Sequence, residues 1–306
     1  MITSDHCGGA THAAGLGLAT LVGGFSGTGR SIEGIVETVD LNPKHFALLR
    51  PGARIWAVAA VRGEAASLRA VHAQIARLFC PGDRVVYLGD VIGDGADIRG
   101  TVDEVLRFRR LVLSTPPFTH PGDVVVLRGS QEEMWRNLLQ IQFAAAAADV
   151  LQWMADRGVA KIVEAYGGNF TEGLAAARSG AMVLGQWTSR LRSAVRAAPG
   201  HGAFMTMMMH AAVTTDGALL LINSGLDPKR SLAEQGDRFW WDTGGPNRMT
   251  ERYSEAGLVV RGADPARGGV HHEVFRLALD SGCGEGGPLN AVCLSGQGEV
   301  LETVTA

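Results

Sequence analysis

Three times between Arg54 and Met134, a short apolar run ends in a glycine-punctuated turn and hands over to a helical pattern. Ile55–Ala60 runs into Gly63, and Leu68, Val71, Ile75 and Leu78 then recur at i, i+3, i+7 and i+10, the spacing of one helix face. Pro81-Gly82-Asp83 turns the chain into Val85–Leu88, which stops at Gly89-Asp90, and Val102–Leu113 fits the next helix. Pro121-Gly122-Asp123 launches Val124–Leu127, which stops at Gly129. Apolar runs this short, bounded by turn residues, read as buried strands. Repeated strand–loop–helix units predict an α/β fold, with polar loops at the strand C-termini, where ligand chemistry usually sits.

The flanking segments differ in texture. Residues 1–50 are Gly-rich, then mixed in polarity, and are expected to form an extension joined at Arg50-Pro51-Gly52 to one domain over 51–306. Within that domain, 135–200 reads as helical, rich in Ala and Leu, with Trp153 and Trp187 as apolar anchors. Ala218–Ile222, Gly257–Val260, Val274–Leu279 and Ala291–Leu294 read as further strands.

Composition removes several function classes. At 46% hydrophobic and 19% charged residues, the chain is too apolar for disorder, and 306 residues suffice for a sizeable core. A net charge of −3 offers no basic field for nucleic acid or an anionic membrane. The apolar run Ala13–Phe25 is short of the ~20 residues that span a bilayer. Cys7, Cys80, Cys283 and Cys293 contain no CxxC pair and suggest neither a zinc site nor a disulfide framework. With no basic segment at the start MITSDHCGG, a soluble cytoplasmic protein is expected.

The three segments RIWAVAAVRG (Arg54–Gly63), GDVIGDG (Gly89–Gly95) and GSQEEM (Gly129–Met134) resemble the calcineurin-like metallophosphoesterases, in the serine/threonine phosphatase and diadenosine tetraphosphatase branch. There they read roughly RIYAIGDIHG, GDYVDRG and GNHEEM. The likeness extends over about residues 54–298. It implies a metallophosphoesterase-type four-layer sandwich, two mixed β-sheets flanked by helices. It also implies hydrolysis at two divalent metals, such as Mn or Fe, held by Asp, Asn and His.

Carried across position by position, most of that chemistry is missing. The first Asp and His ligands fall on Ala60, which has no donor atom, and Arg62, whose guanidinium stays protonated. The bridging aspartate survives as Asp90. The family's next Asp and its phosphate-gripping Arg become Gly93 and Asp94, so a cation gives way to an anion. The Asn ligand becomes Ser130 and the acid His becomes Gln131. In INSGLDP, Asn223 stands on a His ligand, and in VVRGADP, Ala263 stands on the last one. A second Arg aligns loosely with Asp242. Gly63, Gly89, Gly95, Gly129, Gly225 and Gly262 keep the turns. The expectation is a folded scaffold with no catalytic residues and no cofactor, acting through a protein partner. The alternative is an active phosphoesterase using unfamiliar ligands such as Asp90, Asp94 and Asp97 with a distant His.

A buried Asp90 without metal needs a counter-charge, and Arg62 is expected to pair with Asp90 or Asp94. Other signals have plainer readings. Gly24–Ser31 (GFSGTGRS) has P-loop spacing, but Arg30 replaces the Lys and too little chain follows for a nucleotide fold. His271-His272-Glu273 reads as a loop or strand-start pair and His210 as a packed or hydrogen-bonded histidine. Glu132 and Glu133 read as an acidic helix start. The Met205–Met209 cluster reads as adaptable packing.

Overall fold

The computed structural model describes residues 41–116, 120–241 and 243–306. Among these residues lie eleven strands and nine helices. The first strands are β1 (Phe46–Leu49), β2 (Ile55–Val58), β3 (Arg84–Tyr87) and β4 (Val124–Val126). Helix α1 (Ala65–Leu78) joins β2 to β3 and α2 (Ile98–Leu113) joins β3 to β4. Six helices follow: α3 (Ser130–Leu138), α4 (Ala147–Ala155), α5 (Val159–Ala165), α6 (Phe170–Ser179), α7 (Ala181–Ala197) and α8 (His201–Thr206). Then come β5 (Ala211–Thr214), β6 (Leu219–Ile222), α9 (Arg238–Trp241) and β7 (Leu258–Arg261). The chain closes with β8 (His271–Glu273), β9 (Arg276–Ala278), β10 (Asn290–Leu294) and β11 (Val300–Thr305).

The strands form two mixed sheets, in the orders β1-β5-β6-β7-β9-β8 and β11-β10-β2-β3-β4. This is an α/β sandwich, as the motifs imply. Strand alternation explains how it packs. On β6 and β7, Leu219, Leu221, Leu258 and Val260 share a core with Ile55–Val58 and Val85–Tyr87 of the other sheet. Leu220, Ile222 and Val259 point the other way, onto Phe239 and Trp240. Both faces are covered, so these strands read as continuous apolar runs rather than alternating ones.

Helices α1 and α2 are tied to the sheet by a buried polar knot. His72 stacks on Phe108 at 3.9 Å, with Nδ1 2.6 Å from Glu104 and Nε2 2.9 Å from the Tyr87 hydroxyl. Burial pushes the His72 imidazole down, against the pull of Glu104. Asp97 caps α2, accepting from Gly100 N at 2.8 Å, and also pairs with Arg69 at 3.5 Å. That is a structural post, and Asp97 is not among the residues lining the cleft described below.

Three sequence expectations change. Residues 41–50, assigned to the extension, belong to the folded body: β1 pairs in parallel with β5, and Leu41 and Phe46 are core residues. Trp187 is a buried anchor but Trp153 is 42% exposed, because it faces away from the helical core. His271–Glu273, by contrast, is a strand as expected, exposed at the sheet edge. Cys80 is disulfide-bonded, whereas Cys283 and Cys293 are buried free thiols, so the cysteine spacing does not speak for a reducing compartment. The Gly24–Ser31 segment, the run Ala13–Phe25 and Asp242 lie outside the described residues. Among the described residues no helix is long and apolar enough to cross a membrane.

Candidate active site

Strands β2, β3 and β4 are parallel, so their C-terminal loops open at one edge. The loops after β6 and β7 meet them there. Ala60 N donates to Gly262 O at 3.0 Å, Arg62 N to Asp90 O at 2.7 Å and Gly262 N to Asn223 O at 2.9 Å. Close backbone approach explains the retained glycines. A Cβ on Gly129 would lie 2.3 Å from both Asp90 N and Asp90 Oδ1, and one on Gly262 would lie 2.3 Å from Leu88 Cβ. Arg62 and Asp90 themselves hold left-handed backbone, φ 49° and 48°. Non-glycine residues take that conformation uncommonly, and such outliers gather at functional sites.

A cavity of about 540 Å³ opens at this edge. Arg62, Asp90, Asp94, Ser130, Gln131, Asn223 and Ala263 line it, so seven of the nine positions singled out in the sequence come together. Ala60 and Gly93 do not line it and lie buried. Gly93 is small for a reason, since a Cβ there would press on Arg62 Cα at 2.8 Å.

Asp90 is 3% exposed, and both of its oxygens are taken. Oδ1 accepts from Ser130 Oγ at 3.1 Å and from Gln131 N at 2.9 Å. Oδ2 accepts from Asn223 Nδ2 at 3.2 Å. The same amide group donates to Leu88 O at 2.9 Å, and a carbonyl can only accept, which fixes the orientation of Asn223. The Ser130 hydroxyl, the Gln131 backbone and the Asn223 amide therefore all donate to the Asp90 carboxylate. A carboxylate so engaged is held without metal charge.

Arg62 does not pair with Asp90 or Asp94, which corrects the sequence expectation. Its guanidinium forks onto Asp280, Nη1 to Oδ1 at 3.0 Å and Nη2 to Oδ2 at 2.5 Å, and Nη1 also donates to Cys283 O at 3.0 Å. The physical reason is preorganisation. Asp280, at the end of the strand run after β9, is 1% exposed and already fixed by Asp264 N at 2.9 Å and Gly282 N at 2.8 Å. It offers a rigid bidentate acceptor, while the oxygens of Asp90 are consumed elsewhere. Burial opposes the charge on Arg62, but the Asp280 bond and field, followed by the field of Asp90, push its pKa up. Burial likewise works against ionised Asp280, and Arg62 overcomes it, holding that carboxyl below its usual range.

Glu132 was read as an acidic helix start and does more. Its carboxylate accepts from Gly129 N at 2.8 Å, Asp90 N at 2.9 Å and Ile92 N at 3.0 Å, bracing two loops beneath the cleft. Burial and then the Asp90 carboxylate push Glu132 up to about 8, despite these three bonds. Glu133 instead pairs with Arg136 at 2.5 Å and Arg128 at 3.4 Å. His210 stacks on His45 at 4.4 Å, and burial pushes it down to about 4.

The donor set does not fit a two-metal centre. Among the described residues, no group of three or more His, Cys, Asp or Glu side chains is placed to hold an ion. Ala60 and Ala263 offer no ligand atom, and Arg62 brings a fixed cation to the same wall.

No family model matches the sequence, and no curated protein matches it. Solved structures do. A protein assigned as a diadenosine tetraphosphatase shares 16% identity at a TM-score of 0.49, over 86% of this chain and 98% of its own. A serine/threonine phosphatase from Saccharomyces cerevisiae shares 12% at 0.44, over 84% and 79%. A cold-active protein-tyrosine phosphatase of a Shewanella species shares 14% at 0.40, over 85% and 82%. The likeness is one of fold. What the cleft can do rests on its own side chains.

Proposed function

We propose that this protein is a pseudophosphatase, a phosphoesterase-like scaffold that binds a partner and performs no metal-dependent hydrolysis. The observation that carries this reading is the closure of Asp90. Ser130, the Gln131 backbone and Asn223 satisfy it with protons where hydrolysis needs metal ions and a bound water. Gln131 also stands on the position of the resembled family's acid, and its amide cannot shuttle a proton. The partner we favour is a protein, met at the cleft or along the helical segment 135–200.

The test is turnover of an aryl phosphate by purified protein with added manganese. We expect a rate at the buffer background, the same for wild type and Asp90→Asn. Turnover above background that disappears in Asp90→Asn would restore the alternative of an active phosphoesterase with unfamiliar ligands.

A further inference from the structure

The cleft has reversed its charge preference along with losing its ligands. Its lining carries the carboxylates of Asp90, Asp94, Asp156, Asp264 and Glu285 against the guanidiniums of Arg62, Arg157 and Arg267. Two of those cations are spent locally, Arg62 on Asp280 and Arg267 on Glu285, and Asp264 is paired with Arg261. Asp90, Asp94 and Asp156 then face Arg157, with Lys161 bonded to the Asp94 backbone carbonyl. Carboxylates remain in excess. A phosphoryl group entering here would meet anions where the resembled family offers cations.

A second observation is independent of charge. Asn223 Oδ1, Ser224 Oγ and Gln131 Oε1 are buried atoms without a hydrogen-bond partner among the described residues, and all three residues line this cavity. Asn223 is 0% and Ser224 3% exposed. Because the Asn223 amide nitrogen is committed to Leu88 O and Asp90, its oxygen is left as a bare acceptor. The Gln131 nitrogen is likewise committed, to Arg157 O at 2.9 Å, leaving its oxygen bare. A buried acceptor left unpaired forfeits its hydration with nothing in return, so such groups commonly serve a ligand or an ordered water.

The rim supplies a third. Trp241, 40% exposed, lines the mouth and meets Trp153 edge-on at 6.1 Å. The guanidinium of Arg157 already lies over the Trp153 ring at 4.1 Å. Aromatic walls of this kind hold planar cations.

We infer that the cleft binds a guanidinium or primary ammonium head group, whose N–H donors satisfy the Asn223 and Gln131 oxygens while its charge meets Asp94 and Asp156. A cavity of about 540 Å³ admits such a head with its stem. The inference deepens the proposed function and rests on it in one respect, that no metal competes for Asp90. The head group arrives either on a free amine or on an Arg or Lys side chain of a protein.

Calorimetry on the full chain tests it, with Nα-acetyl-arginine amide, a blocked Ala-Arg-Ala peptide, Nα-acetyl-norleucine amide and inorganic phosphate as titrants. Wild type should bind the arginine amide one to one and ignore the norleucine amide and phosphate. The double variant Asp94→Asn/Asp156→Asn, altered at partly exposed and exposed positions, should keep its fold by circular dichroism and bind about tenfold more weakly. A peptide that binds more tightly than the amide assigns the site to a protein side chain, and equal binding assigns it to a free amine. Phosphate binding in place of arginine, no binding of arginine amide, or equal binding by wild type and the double variant would overturn the inference. A manganese titration of the same sample separates that outcome from failure of the pseudophosphatase reading, which manganese binding alone would signal.

Discussion

Arg62→Met is expected to lower the stability of this protein by about 3–5 kcal/mol at pH 7, because it strands a buried carboxylate. Asp280 is 1% exposed, and Arg62 is its only ion-pair partner among the described residues. Two backbone donors, Asp264 N and Gly282 N, would remain and would not neutralise it. Methionine keeps an unbranched stem at a left-handed position, so backbone strain stays nearly constant and the change reports the ion pair. The pH dependence has a definite sign. Asp280 has its pKa depressed in the folded state, so its contribution is present above the ordinary aspartate value near 4 and fades as pH falls through the folded value. The gap between wild type and variant should be full at pH 7 and smaller at pH 3. Urea denaturation at both values measures it. Adding Asp280→Asn to Arg62→Met should recover part of the loss, and a double-mutant cycle isolates the coupling. A loss under about 1 kcal/mol, the range of a surface pair, would mean that Arg62 does not hold the loops together.

Gly129→Ala is the second large effect, expected at about 3 kcal/mol of destabilisation. The added Cβ would meet Asp90 N and Oδ1 at 2.3 Å and Asp90 Cγ at 2.6 Å. These atoms cannot easily yield, since Asp90 N is tied to Glu132 and Oδ1 to Ser130 and Gln131. A control glycine shows the opposite sign. Gly185 lies inside α7, and a Cβ there meets nothing within 4 Å. Gly185→Ala should therefore stabilise by roughly 0.5–1 kcal/mol through the unfolded chain and helix propensity. Thermal melts of the two variants distinguish packing at the cleft from a general effect of alanine. A mild Gly129→Ala phenotype would show that the loops are looser than these distances imply.

How far the sequence could be read follows from what each feature depends on. Strands β2, β3 and β4 were legible because each is a short apolar run stopped by glycine, a local pattern. The convergence of Asp90, Ser130, Gln131 and Asn223 was legible only through the family resemblance, since apart from the adjacent Ser130 and Gln131 their spacing places none of them together. The partner of Arg62 was not legible. Asp280 lies 218 residues away, and nothing local marks the pair. A signal did exist, in that Asp280, like Asp90, closes an apolar run next to a glycine-bearing turn. Strand β5 was hidden because Ala211-Ala212-Val213-Thr214 continues an Ala- and Met-rich helical texture, and only tertiary pairing with β1 and β6 makes it a strand. Strand β11 is largely exposed and reads as a polar tail until β10 is placed beside it. The role of Glu132 was masked by a correct but partial reason. An acid at the third position of a helix is favourable anyway, which conceals its bonds to Asp90 N and Ile92 N.

The two layers of the cleft separate on physical grounds. Glycines that allow backbone approach within van der Waals contact are kept, because replacing them strains a buried core. Around Asp90 the contacts are polar instead, hydrogen bonds donated by Ser130 Oγ, Gln131 N and Asn223 Nδ2.

The most direct test of that account is a calorimetric titration of the purified, chelator-treated full chain with Mn²⁺ at pH 7, run in parallel on Asp90→Asn. We predict no saturable binding in the micromolar range and matching traces for both proteins. One or two Mn²⁺ ions bound tightly per chain, and lost in Asp90→Asn, would contradict the account and return Asp90 to the role of a metal bridge.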